Sequence, residues 1–152
     1  MLLYGACLFS ASAAAIHFAV AKEHFEEYTL FGAFFVLTGI AQLAWAVLAA
    51  AQPRRWILAA GIAGNLPIVA LWGVDRIWGL PLGPEHWQPD PVGFGDVAAS
   101  ACEVLLVLAC FALLQGRNAR MRYWLAVPVA AATTLALLSV MGIGSPVITP
   151  SM

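Results

Sequence analysis

Five apolar stretches, at roughly 2–21, 28–51, 56–74, 95–115 and 122–143, leave this chain few ways to fold. Each is close to the ~20 helical residues that cross a hydrocarbon core about 30 Å thick. Backbone N–H and C=O groups in lipid must be paired within the structure, so each stretch is expected to be a helix. The alternation a membrane β-barrel needs is absent. The fold class expected is therefore all-α: one polytopic transmembrane helix bundle over 1–152, with five helices, or four if the first or last does not span. Composition agrees, since only 10% of the residues are charged and the mean hydropathy is +0.88, where a soluble domain carries about 25% charged residues.

Arginines orient the bundle. Arg54 and Arg55 lie between the second and third stretches, and Arg117, Arg120 and Arg122 between the fourth and fifth. Those two loops share one side, which the positive-inside rule makes cytoplasmic. The N-terminus is then inside and the C-terminus outside. The arginine bias, with Lys22 the sole lysine, together with HFEEYTLFGAFF from His24, resembles small membrane proteins of GC-rich bacteria. A bacterial inner (plasma) membrane is the expected location. No Lys or Arg precedes the first stretch and no clear cleavage site follows it, so 1–21 is expected to be a retained span.

A net charge of −1 offers no basic surface for nucleic acid. Cys7, Cys102 and Cys110 fall within apolar stretches and form no CxxC, which predicts buried, unreactive thiols. Walker, GxSxG, nucleotide and HExxH motifs are missing. An enzyme acting alone is not expected.

The polar residues inside the apolar stretches carry the functional argument. His17 and His24 are seven residues apart, about two helical turns or roughly 10 Å, with Ser10 on the same heptad line. Ala13, Ala14 and Ala21 flank His17 and allow a neighbouring helix to approach closely. In the fourth stretch Asp96, Glu103 and Cys110 repeat the seven-residue spacing. A carboxylate at the depth of Glu103 costs roughly 2.5–3.5 kcal/mol on insertion scales unless it faces the bundle and has a partner. His17 lies at a compatible depth, so a His17–Glu103 contact is predicted. Gln42 and Asn65 add polar groups near the mid-plane, the latter just before Pro67, where a kink is expected. Asp75 and Arg76 close the third stretch. The only long connection, 79–95, holds Pro81, Pro84, Pro89, Pro91 and His86 and should form a stiff cap.

Imidazole with carboxylate suits a divalent transition metal. The favoured expectation is an outer-leaflet copper or zinc site drawn from His17, His24, His86, Asp96 and Glu103. Gln42, Asn65, Asp75 and Arg76 would stand behind it. His17 and His24 could share one ion only if the helix broke between them, and 22–24 is the expected place. Haem is a weaker expectation, since only His17 and His86 could pair across elements. Bland roles compete: His17 bonded to Glu103 alone, His24 and His86 solvated, Asp96 as a helix N-cap, Gln42 and Asn65 as interhelical glue. Two other functions use the same residues: a proton or small-solute path through Glu103 and His17, and an accessory subunit of a larger membrane complex or homo-oligomer.

Overall fold

The computed structural model describes residues 2–84 and 86–116. Four helices run through them: α1 (Leu2–Glu27), α2 (Thr29–Ala51), α3 (Arg55–Trp78) and α4 (Phe94–Leu114). All four are long and apolar enough to cross a membrane. The expected fifth helix over 122–143, with Arg117, Arg120 and Arg122, lies outside the described residues.

Two expectations about α1 and α4 need correction. The first helix does not break at 22–24 but continues to Glu27. Its turns are held on through the polar stretch, with the Tyr28 N–H donating to the His24 carbonyl at 2.9 Å. Reversal falls instead to Tyr28, whose backbone is extended (φ −156°, ψ 125°). The N-cap of α4 is Gly93 rather than Asp96. Asp96 sits one turn in, and its Oδ2 accepts the Gly93 N–H at 3.0 Å, satisfying one of the free donors of the helix start. α3 runs on through Pro67 to Trp78, so Asp75 and Arg76 occupy its last turn.

The helices alternate in direction. Phe25 abuts Gly32 and Phe18 abuts Gly39, the register of an antiparallel α1–α2 hairpin. α1 also packs on α4, and α4 on α3, whereas α2 and α3 barely touch. Their firmest contacts lie near the short turn that joins them. There the Trp45 indole N–H donates to the Ile57 carbonyl at 2.7 Å, and the ring covers Gly61 so closely that a Cβ would lie 2.7 Å from it.

This arrangement stacks three tiers. The end nearest Arg54 is a packed apolar core that includes Phe9, Trp45, Ile57, Cys102, Leu106 and Cys110. Alanines at 6, 13, 46, 49 and 109 within it let the backbones approach, as small residues do in lipid. A polar layer crosses the middle. Beyond it, toward Tyr28 and the 79–93 connection, α2 and α3 diverge around a cavity.

Candidate functional site

Each described helix places one buried polar side chain in the middle layer. His17, Gln42, Asn65 and Glu103 are 4%, 3%, 4% and 1% exposed. Every one lies roughly 10 residues from the nearer end of its helix, about 15 Å at 1.5 Å per residue. Four polar groups at one level can therefore pair without reaching along the bundle.

Glu103 is the hub. Its Oε1 lies 3.0 Å from His17 Nε2 and accepts a 2.8 Å hydrogen bond from Gln42 Nε2. The second hydrogen of the Gln42 amide goes to Asn65 Oδ1 at 3.0 Å. Asn65 Nδ2 donates in turn to the Gly61 carbonyl, four residues back in its own helix, at 2.9 Å. Ser10 Oγ–H donates to the Gln42 carbonyl at 2.8 Å. The predicted His17–Glu103 contact is present, and Gln42 and Asn65 join it directly. Below this layer Ser10 is the one buried polar side chain among the described residues. The polar groups end where the apolar core begins.

Two members of this layer, His17 and Glu103, line a cavity of about 320 Å³. Its walls are mostly apolar and aromatic, with Phe31, Phe34 and Phe35 from α2 facing Ile68, Leu71 and Trp72 from α3. This is the wedge left where those two helices part. His17 and His24 both pack against Phe35, with ring centroids 5.3 and 4.0 Å away. His24 Nδ1–H donates to the Val20 carbonyl at 2.9 Å. Both imidazoles and Glu103 line the same cavity.

An ionic cluster stands at the mouth. Arg76 Nη1 meets Asp75 at 3.1 Å and Asp90 at 3.2 Å, while Nη2 meets Asp96 at 2.9 Å. One guanidinium thus ties α3, α4 and the 79–93 connection together, using the fork geometry an ammonium lacks. The connection folds over the mouth. Gly79 turns the chain at φ +73° against the Gln88 backbone, and Gly83, at φ +86°, rests on the Phe31 ring. The Trp87 N–H closes the turn on the Leu80 carbonyl at 2.9 Å.

The structure divides the residues singled out from sequence. His17, His24, Asp96 and Glu103 line one cavity, with Asp75 and Arg76. His86 is exposed and is not among the lining residues. Asp96 is engaged by Arg76 and Gly93. No three His, Cys, Asp or Glu side chains among the described residues converge as a metal-binding group. Cys102 and Cys110 are buried and Cys7 half-buried, all as free thiols. Sequence reading missed Asp90 and the aromatic wall, whose signal was the cluster Phe31, Phe34, Phe35 facing Trp72 across two helices. Four atoms in this region are buried without a hydrogen-bond partner: His17 Nδ1, Gln42 Oε1, Trp72 Nε1 and Arg76 Nε. No protein-family model, curated protein or solved structure matches the chain.

Proposed function

We propose that the protein is an integral membrane protein that binds a small, largely apolar molecule in the extracytoplasmic half of the bilayer. The observation that carries this reading is the cavity itself. It is of ligand size, aromatic-walled, and floored by the His17–Glu103 pair. A buried carboxylate in a membrane bundle is costly and favours a functional role.

Arg54 and Arg55 lie at the opposite end from the cavity, which supports a cytoplasmic position for that end. With 122–143 as a fifth span, the N-terminus is inside and the C-terminus outside, in a bacterial plasma membrane. The test of the binding reading is photolabelling of the full chain in lipid nanodiscs with a neutral diazirine-bearing naphthalene. Labelling at Phe31, Phe34, Ile68 or Trp72 that saturates, and is competed by excess 1-naphthalenemethanol, is the expected result. Labelling spread over exposed positions such as Leu37 and Val47, without competition, would overturn it.

Binding of copper or zinc is the second reading. One observation favours it: His17, His24 and Glu103 line a common cavity, and imidazole with carboxylate is a suitable donor set. Metal analysis of the purified protein, beside His17→Ala and Glu103→Gln, decides it. Near-stoichiometric metal in the parent that is lost in both variants supports it, and equal trace metal in all three rejects it. A second chain that co-purifies in fixed ratio would instead favour an accessory subunit.

A further inference from the structure

The rim of the cavity shows from which side it is filled. Of the lining residues only Leu30, Leu71 and Leu82 are exposed, at 57%, 38% and 53%. A residue that lines a cavity and also faces outward stands at its opening. These three belong to α2, α3 and the 79–93 connection, whereas α1 and α4 contribute only buried or half-buried residues. The opening therefore lies on the side where α2 and α3 barely touch, and its frame is apolar. Leu71 precedes Trp78, the last residue of α3, by two helical turns, about 10 Å. Trp78 and Trp87 are exposed, as indoles at the headgroup level are. Leu71 thus lies below that level, in hydrocarbon, with Leu30 and Leu82 nearer the surface.

The water-facing side is obstructed by paired charges. The side chains of Arg76, Asp75 and Asp96 are 12%, 16% and 22% exposed, and the same guanidinium also holds Asp90. Gly83 brings the connection down onto the Phe31 ring. An apolar body passing between these groups would part the ion pairs and strip water from them, at several kcal/mol per ion. An uncharged lipophile is already concentrated in the bilayer, by about 0.8 kcal/mol for each CH₂ taken out of water. On the α2–α3 side it meets only leucine. Resting on the binding reading above, we infer that the ligand is an uncharged molecule dissolved in the bilayer, which enters sideways through the leucine-framed opening between α2 and α3. Leu30 and Leu71 set which shapes pass, and the Arg76 cluster keeps water-borne solutes out.

Two tethered forms of the diazirine-bearing naphthalene separate the routes, with the full chain in lipid nanodiscs. One carries the ring on a short acyl chain of phosphatidylcholine and is confined to the bilayer. The other carries it on dextran and is confined to water. The lipid form is expected to label Phe31, Phe34, Ile68 or Trp72, and the dextran form none of them. Leu30→Trp combined with Leu71→Trp fills the opening and should remove more than half of the lipid form's cavity labelling. Leu37→Trp, at an exposed position of α2 that does not line the cavity, should leave it unchanged. Cavity labelling by the free naphthalene but not by the lipid form would overturn the lateral route and leave the cavity as a binding site. Labelling as strong from the dextran form as from the lipid form would do the same. Labelling by the lipid form that persists in full after both leucines are replaced would overturn the leucine frame. Absence of saturable cavity labelling by the free naphthalene would overturn this inference and the binding reading together. The comparison between tethers is made on the unaltered protein, so it holds even if the double variant fails to fold.

Discussion

Gln42 Nε2 lies 2.8 Å from Glu103 Oε1 and 3.0 Å from Asn65 Oδ1, so one amide nitrogen spends both hydrogens on two other helices. The α2–α3 pair has few other contacts, and this amide is where α2 is tied to both α3 and α4 in the middle of the bundle. It also fixes the rotamer of the Glu103 carboxylate under the cavity.

Glu103→Gln and Glu103→Leu should therefore separate. Glutamine keeps an acceptor oxygen for Gln42 and His17, and the change is expected to cost less than about 1 kcal/mol, since interhelical hydrogen bonds in membranes average roughly 0.6. Leucine strips two buried donors of their acceptor, at about 1–3 kcal/mol each. The relief of the carboxylate's insertion cost acts on entry into lipid and does not offset that loss within the folded bundle. Thermal unfolding in one detergent should show a clear drop in Tm for leucine only. Equal Tm values would mean that the polar layer contributes nothing to packing.

Arg76→Gln should loosen the 79–93 connection. Exposed ion pairs are individually worth about 0.2–1 kcal/mol, but this half-buried guanidinium holds three carboxylates that repel one another once it is gone. Hydrogen exchange at the Trp87 amide is expected to quicken about ten-fold, equivalent to roughly 1.4 kcal/mol. Arg76→Lys should recover only part of this, because a point charge cannot present two nitrogens to three partners. Unaltered exchange in both variants would show that the loop is held by its own turns.

Gly61→Ala tests the close end of the α2–α3 wedge. The added methyl would meet the Trp45 ring at 2.7 Å, and that ring cannot withdraw without breaking its bond to the Ile57 carbonyl. Overpacking of this kind typically costs about 1–3 kcal/mol. Gly64→Ala, on the same helix with open space at its Cβ, is the control and should be neutral or slightly stabilising through its better helix propensity. Unfolding curves that rank the two variants the other way would refute the packing described for this end.

Side-specific labelling of single cysteines, in a background with the three native cysteines replaced by alanine, checks the orientation. Gln52→Cys is expected to react only from the cytoplasmic face, and Gln88→Cys only from outside. The reverse pattern would place the cavity in the inner leaflet.

Helix number and placement for the described residues could be read from the chain because lipid permits so little else. Apolar stretches of spanning length must be helical, and their ends fell within a few residues except where polar residues prolonged α1 and α3. Lys22, Glu23 and His24 looked like a break, yet a helix loses nothing by continuing into water when its backbone bonds are already formed. The His17–Glu103 contact was also foreseeable, since a carboxylate deep in an apolar helix needs a partner and few were available at its depth.

What the linear pattern could not supply is the space between the helices. Whether Phe31, Phe34 and Trp72 fill a gap or border one depends on the angle at which α2 leaves α3. At the other end the two helices meet through Trp45 against Gly61, a contact between residues with no local signature of pairing. His24 and His86 look equivalent in sequence, but only the tertiary arrangement puts His24 on the cavity lining and leaves His86 off it. Hydropathy set which segments enter the bilayer, because transfer of apolar surface depends on residue type alone. Side-chain shape, expressed only once four helices pack together, decided that the described residues form a packed core at one end and border a cavity at the other.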